Sequence, residues 1–149
     1  MRVVIQRASK AAVEINGTET RSISHGLVIL LGIEQDDEEE DIDWLIKKVL
    51  GLRVFSDNEN KMNLNLSQVN GQILLISQFT LHASTKKGNR PSFVRAARPD
   101  VAIPLYDQFI KKLKSHSVIV ETGEFGADMQ VSLTNDGPVT IIIDTKNKE

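Results

Sequence analysis

MQVSLTNDGPVTIII, residues 129–143, is the stretch whose reading decides the fold class. Met129–Thr134 alternates apolar and polar side chains, as a strand with one buried face does, whereas Val139–Ile143 does not alternate. Between them, Asn135-Asp136-Gly137-Pro138 has turn chemistry, so the segment is expected to be two strands joined by a hairpin turn. Gly-Pro is also among the peptide bonds most able to go cis, since that form costs only about 0.5–1 kcal/mol. Val118–Thr122 reads as a further strand just upstream. Three strands therefore follow one another with no helix between them. A doubly wound parallel sheet alternates strands with helices, so the pattern points to α+β with much antiparallel pairing.

Upstream, Val3–Ile5 with its flanks and Ala11–Ile15 read as two strands, and Asn16-Gly17 as the turn of a hairpin. Leu27–Ile33 (LVILLGI) is a continuous apolar run that suits a strand buried on both faces. Asp36 or Asp37 is placed to cap a helix running to about Leu50, with Gly51 to end it. Ile42, Leu45, Ile46, Val49 and Leu50 form its apolar stripe. Leu52–Phe55 reads as a short strand and Ser56–Asn70 as a polar loop. Gln72–Leu81 reads as a strand, and a second helix runs from near Pro99 to about Ser115, with Pro104 near its start. Trp44 and Tyr106 sit at helical core spacing and read as packing residues. The tail, residues 145–149, is expected to fray. The total is about eight strands and two helices in one domain, residues 1–149.

Composition narrows the function classes. The 149 residues are 40% apolar and 26% charged, which is ordinary globular composition. There is no cysteine, so disulfides, thiolate metal sites and cysteine nucleophiles are excluded. The N-terminus lacks the apolar run of a signal peptide, and no stretch is long enough to span a bilayer, so a cytoplasmic protein without membrane contact is expected. His25, His82 and His116 fall in no metal-binding spacing, and there is neither a phosphate loop nor a GxSxG elbow. No metal and no cofactor is therefore expected.

The charge is unevenly spread. Glu34–Asp43 holds eight acids and no base; setting those charges aside turns a net −2 into +6. The acidic run is expected to be a helix N-terminus and no more. His82–Pro99 holds Lys86, Lys87, Arg90, Arg95 and Arg98 without an acid. Such a segment either presents an anion-binding surface or pairs with the acidic run. Just before it, the apolar strand ILLI ends in Ser77-Gln78-Phe79-Thr80-Leu81, where polar side chains and free amides can reach a cleft.

SQFTL, the following KKGNRPSF, and NDGPVT near the C-terminus together resemble the D-aminoacyl-tRNA deacylase family, as do the opening RVVIQRAS and the segment GEFGADM. The resemblance covers essentially the whole chain. It implies an α+β fold with a largely antiparallel, curved, barrel-like sheet of about eight strands and two main helices, assembled as a homodimer. It implies hydrolysis of the ester joining a D-amino acid, or mischarged glycine, to the 3′ end of tRNA. Carried over, Ser77, Gln78, Phe79 and Thr80 would form the catalytic strand end of one subunit. Gly137 and Pro138, as a cis dipeptide from the other subunit, would select against L-amino acids. Phe125 and Met129 match positions lining the substrate pocket, and Arg7 matches the residue that steadies the Gly–Pro unit. The family also leans toward assistance from the 2′-OH of the terminal ribose.

An aminoacyl ester is already activated, so orientation, an oxyanion site and a chiral filter would suffice. Backbone N–H groups near Phe79 and Thr80 are the oxyanion candidates. Thr80 has no base beside it in sequence, which favours a positioning role over a nucleophilic one. Lys86, Lys87, Arg90, Arg95 and Arg98 would then contact acceptor-stem phosphates of tRNA. Two other readings remain: a non-catalytic nucleic-acid-binding module using the same basic segment, and a metal- or triad-dependent hydrolase of small esters.

Overall fold

Arg2–Ile15 forms one strand, β1, not the two short strands expected. The polar stretch in its middle does not interrupt it, because both of its edges find partners along its length. On one edge it pairs antiparallel with β2 (Glu19–Ile23) and β3 (Gly26–Gly32). The Asn16-Gly17 hairpin joins β1 and β2 as expected, with both turn residues at positive φ. On the other edge lies β8, a single strand from Met129 to Asp144. This overturns the hairpin expected at residues 135–138. Pairing runs from Ile15↔Met129 to Ala8↔Asn135, then resumes at Gln6↔Thr140. Residues 136–139 therefore bulge out opposite Arg7, and the chain continues in the same direction. The structure, a computed structural model, describes residues 1–148.

The remaining pairings add a parallel part that the expectation of a largely antiparallel sheet did not include. β3 pairs parallel with β6 (Gln72–Ser77), and β6 pairs parallel with β7 (Val120–Thr122). The reason is the two crossovers: α1 (Glu39–Gly51) lies between β3 and β6 in the chain, and α2 (Pro99–Lys114) between β6 and β7. The main sheet is mixed, six-stranded, in the order β2-β1-β3-β6-β7 with β8 on β1. Its far ends approach: Arg21 of β2 donates to the Thr122 carbonyl of β7 at 2.8 Å, so the sheet curls into a nearly closed barrel. The loop expected at residues 56–70 instead contains β5 (Met62–Leu64), which pairs with β4 (Phe55–Ser56) in a separate ribbon, and a 3-10 turn at Ser67–Val69.

β3 is buried on both faces, as its composition implied. Leu27, Ile29 and Leu31 pack with Ile73 and Leu75 under the two helices, whereas Val28 packs with Leu74 and Ile76 on the other side. α1 buries Ile42, Leu45, Ile46 and Val49; α2 buries Ala102, Tyr106, Phe109 and Leu113. Trp44 is half-buried and Tyr106 buried, both as packing residues. Gly26 is required where β3 starts: a Cβ there would stand 1.9 Å from the Gln72 carbonyl oxygen, at φ +151°.

Three other expectations fail around α1 and the N-terminus. The cap of α1 is Glu38, in a capping box with Asp41, and Gly51 is the last helical residue, ahead of the cap Leu52. Asp37 turns inward instead and holds the buried Met1 ammonium, while accepting the Glu34 N–H at 2.7 Å. The acidic run thus does more than start a helix. The tail is also tied down rather than frayed. Thr145 donates its N–H to the Met1 carbonyl at 2.8 Å, Lys146 reaches Asp41 at 2.8 Å, and Lys148 sits 4.8 Å from the Trp44 ring centroid. Glu149, also expected to fray, lies outside the described residues. Among the described residues no helix is long and apolar enough to cross a membrane.

Candidate functional site

Parallel pairing with β3 carries β6 to Ser77, opposite Leu31, and the Gln78 N–H makes one more bond to the Leu31 carbonyl at 2.8 Å. There the strand expected to reach Leu81 stops. Phe79–His82 coils into a 3-10 turn, which places Phe79 and Thr80 in the open, Phe79 being 55% exposed. The first two amides of such a turn have no partner within it. Among the described residues neither the Phe79 nor the Thr80 N–H donates to a backbone carbonyl.

Ser77, Gln78 and Phe79 form one wall of a cavity of about 650 Å³. Phe125 and Met129 line it from the segment that leads into β8, and Phe93 and Arg98 from the segment before α2. Phe93 stands edge-on to Phe79 with centroids 5.0 Å apart. Phe125 is steadied from behind by Tyr106, 6.2 Å away. Burial, with a smaller push from Asp107, raises the Tyr106 phenol far above its usual range. Its hydroxyl donates to the Leu75 carbonyl at 3.1 Å, so Tyr106 is a neutral strut.

The polar chemistry of the cavity is sparse. Its ionisable lining residues are Arg98 and Asp128. The Gln78 amide donates to the Thr80 hydroxyl at 2.5 Å. An amide cannot accept the threonine proton as a base would, and no carboxylate or imidazole bonds to Thr80 among the described residues. Nor, among those residues, do three or more histidines or acids group to hold a metal.

Arg7, Gly137 and Pro138 lie away from this cavity. Arg7 is 8% exposed and sits under the β8 bulge. Its Nε donates to the Asp136 carbonyl at 3.1 Å and pairs with the Asp136 carboxylate at 3.0 Å, while Nη1 donates to the Val54 carbonyl at 2.5 Å. Gly137 and Pro138 are exposed at the crest of the bulge, joined by a cis peptide bond. A Cβ on Gly137, at φ +127°, would stand 2.8 Å from Val139 Cγ2 and 3.0 Å from Arg7 Nη2.

The basic segment is a surface loop tied by mutual Ser84–Ser92 backbone bonds of 2.8 and 2.9 Å. Lys86, Lys87, Arg90, Arg95 and Arg98 are all exposed. Arg95 pairs with Glu34 at 2.6 Å; the other four form no ion pair among the described residues. The expected pairing with the acidic run is thus made by Arg95. Phe93 and Asp128 were not recognised as lining residues in the sequence; an aromatic inside an otherwise polar run was the available signal for Phe93.

Comparison with known proteins gives a consistent result. A family profile described as D-Tyr-tRNA(Tyr) deacylase matches residues 4–144. Proteins named D-aminoacyl-tRNA deacylase from Bacteroides fragilis strain YCH46 and Phocaeicola vulgatus are 60% and 61% identical, each comparison covering 100% of both chains. One from Finegoldia magna is 55% identical, over 99% of this chain and 100% of the other. Among solved structures, a c-Myc DNA unwinding element binding protein superposes with TM-score 0.90 at 36% identity, covering 97% of this chain and 98% of the other. A probable eukaryotic D-amino acid tRNA deacylase superposes with TM-score 0.82 over 95% and 97% of the two chains; at 19% identity it speaks to the fold alone.

Proposed function

The chain belongs to the D-aminoacyl-tRNA deacylase family and is an ester hydrolase acting on D-aminoacyl-tRNA, and from that premise we propose that the cavity at the end of β6 is its active site. The observation that carries this is the convergence of Ser77, Gln78, Phe79, Phe125 and Met129 on one cavity from distant parts of the chain. Water adds to the ester carbonyl, and the bond to the ribose oxygen breaks. The products are the D-amino acid and a free 3′-terminal hydroxyl on tRNA. The unpaired Phe79 and Thr80 amides are the donors for the developing oxyanion; one such donor is typically worth about 2.7–4 kcal/mol.

Thr80 positions the substrate. Its hydroxyl accepts from Gln78 and meets no base, so it is not activated for attack, and the substrate's own 2′-OH takes the assisting role. Replacing Thr80 with Ala is expected to slow single-turnover hydrolysis of D-aminoacyl-tRNA without abolishing it. Complete loss of turnover, with fold and tRNA binding intact, would assign Thr80 the chemical role instead.

Chiral selection falls to Gly137 and Pro138 of the partner subunit in a homodimer. Support comes from their exposure on a bulge braced by Arg7, and from their not lining their own chain's cavity. Exposed apolar side chains on β8, Val131 at 37% and Ile142 at 68%, fit an assembling surface. A monomer at assay concentration in sedimentation would refute this part. Lys86, Lys87, Arg90 and Arg98 are the phosphate contacts, and the cytoplasm, where tRNA is charged, is the place of action. The structural relative named for DNA unwinding element binding favours a second reading, a non-catalytic nucleic-acid-binding module. Hydrolysis of D-aminoacyl-tRNA by the purified protein separates the two.

A further inference from the structure

Glu34 lies just past β3, is 8% exposed, and touches two segments that contribute to the cavity wall. Its Oε1 is 2.6 Å from Arg95 Nη2 in the basic loop and 3.4 Å from Nδ1 of His82, the last residue of the Phe79–His82 turn. His82 is 1% exposed, and neither ring nitrogen has a hydrogen-bond partner among the described residues. The Glu34 carboxylate thus faces a buried imidazole that has no hydrogen bond among the described residues. Glu34 also forms an antiparallel bridge with Ala96, and the Ala97 N–H donates to the Ile33 carbonyl at 2.9 Å. Ala96 and Ala97 line the cavity, and Phe93, two residues before Arg95, stands against Phe79.

We propose that Glu34 is a positioning residue that clamps the basic loop to the turn bearing Phe79 and Thr80, and that Arg95 is the anchor it grips and not a phosphate contact. The inference rests on the assignment of the cavity as the active site. Apart from the Glu34–Arg95 ion pair, the loop is attached near the cavity, among the described residues, by the single Ala97 backbone bond, a 3.4 Å bond from the Arg98 N–H to Gln35 Oε1 and one aromatic contact. A connection of that kind opens locally at little expense, whereas a charge-assisted bond to a mostly buried carboxylate holds it. Closure sets the distance from Phe93 to Phe79, and hence the pocket into which the ester must fit. Misplacement of about 1 Å at such a point lowers turnover by up to about a hundredfold.

Three readouts test this on Arg95→Gln, Glu34→Gln, their double variant and Arg90→Gln. In single-turnover hydrolysis at saturating enzyme, Arg95→Gln and Glu34→Gln should each lose about ten- to a hundredfold, and the double variant no more than either, since the two residues form one device. In binding of uncharged tRNA across a salt series, Arg90→Gln should flatten the dependence of log K on log salt by about 0.7–0.9, while Arg95→Gln leaves it unchanged. Trypsin should cut after Lys86 and Lys87 faster in Arg95→Gln and Glu34→Gln than in the parent. The proposal is overturned if Arg95→Gln flattens the salt dependence as Arg90→Gln does, if the single losses multiply in the double variant, or if tryptic cleavage is unchanged. Arg95 is exposed, so its variant decides between clamp and phosphate contact even if Glu34→Gln fails to fold. Loop cleavage needs no activity: accelerated cleavage in the variants, with a parent that does not hydrolyse D-aminoacyl-tRNA, would uphold the clamp while refuting the assigned function.

Discussion

Replacing Arg7 with Met keeps the apolar stem and removes the guanidinium from beneath the β8 bulge. Residues 136–139 have no β1 partners, so the bulge rests on a few side-chain bonds. Asn135 closes its base by accepting the Val139 N–H at 3.0 Å, and Arg7 holds its leading edge through Asp136. The contributions differ with burial. The Asp136 side chain is 53% exposed, so its ion pair is worth at most about 1 kcal/mol. The Asp136 carbonyl loses its donor but, on an exposed residue, regains water. The Val54 carbonyl does not: Val54 is 6% exposed, and an unsatisfied buried acceptor costs about 1–3 kcal/mol. Relief of burying a cation offsets part of this, leaving a net loss of about 1–3 kcal/mol. In a chain of this length that lowers Tm by roughly 3–9 °C. Thermal unfolding followed by circular dichroism reads the stability. Parallel deacylation of D- and L-aminoacyl-tRNA reads the filter, whose discrimination should shrink as the bulge loosens. Arg7→Lys, which keeps the charge without the planar fork, should fall between the two proteins. An Arg7→Met protein that melts within about 1 °C of the parent, with unchanged enantiomer preference, would refute both the energetic reasoning and the role of Arg7.

Asp37→Asn should be among the most destabilising isosteric changes, by about 3–5 kcal/mol in denaturant titration, because it leaves the fully buried Met1 ammonium without its counter-charge. Stability should also fall at acid pH through Asp41. Burial opposes its ionisation, but hydrogen bonds from Lys146, Thr145 and the Glu38 N–H outweigh that and hold its pKa at about 2, against an ordinary 3.8. A depressed carboxyl stabilises the fold fully above its unfolded value and loses that contribution as pH falls from about 4 through 2. After solvent screening this amounts to about 1–2 kcal/mol, so Asp41→Asn should show a correspondingly flatter stability profile over that window. Gly137→Ala should damage the filter without opening the fold. The added Cβ would press on Val139 and Arg7 at a strained φ, so enantiomer discrimination is expected to fall well before cooperative unfolding is lost.

Local periodicity and local chemistry determined much of this protein by themselves. The apolar stripe of α1, the double-faced burial of β3 and the Asn16-Gly17 turn all depend on neighbours within a few residues, and so they can be read along the chain. What required the third dimension was partnership. The turn chemistry of residues 135–138 could as well reverse the chain as buckle it outward. Only the length of β1, with an edge free to pair on both sides of Arg7, made it a bulge. The parallel pairing of β6 followed from where two helices cross over, which no window around β6 contains. Likewise, nothing near Asp37 or Glu34 in sequence distinguishes them from the acids beside them. Burial against Met1, His82 and Arg95 does, because a charge removed from water must find its partner wherever the fold happens to bring one.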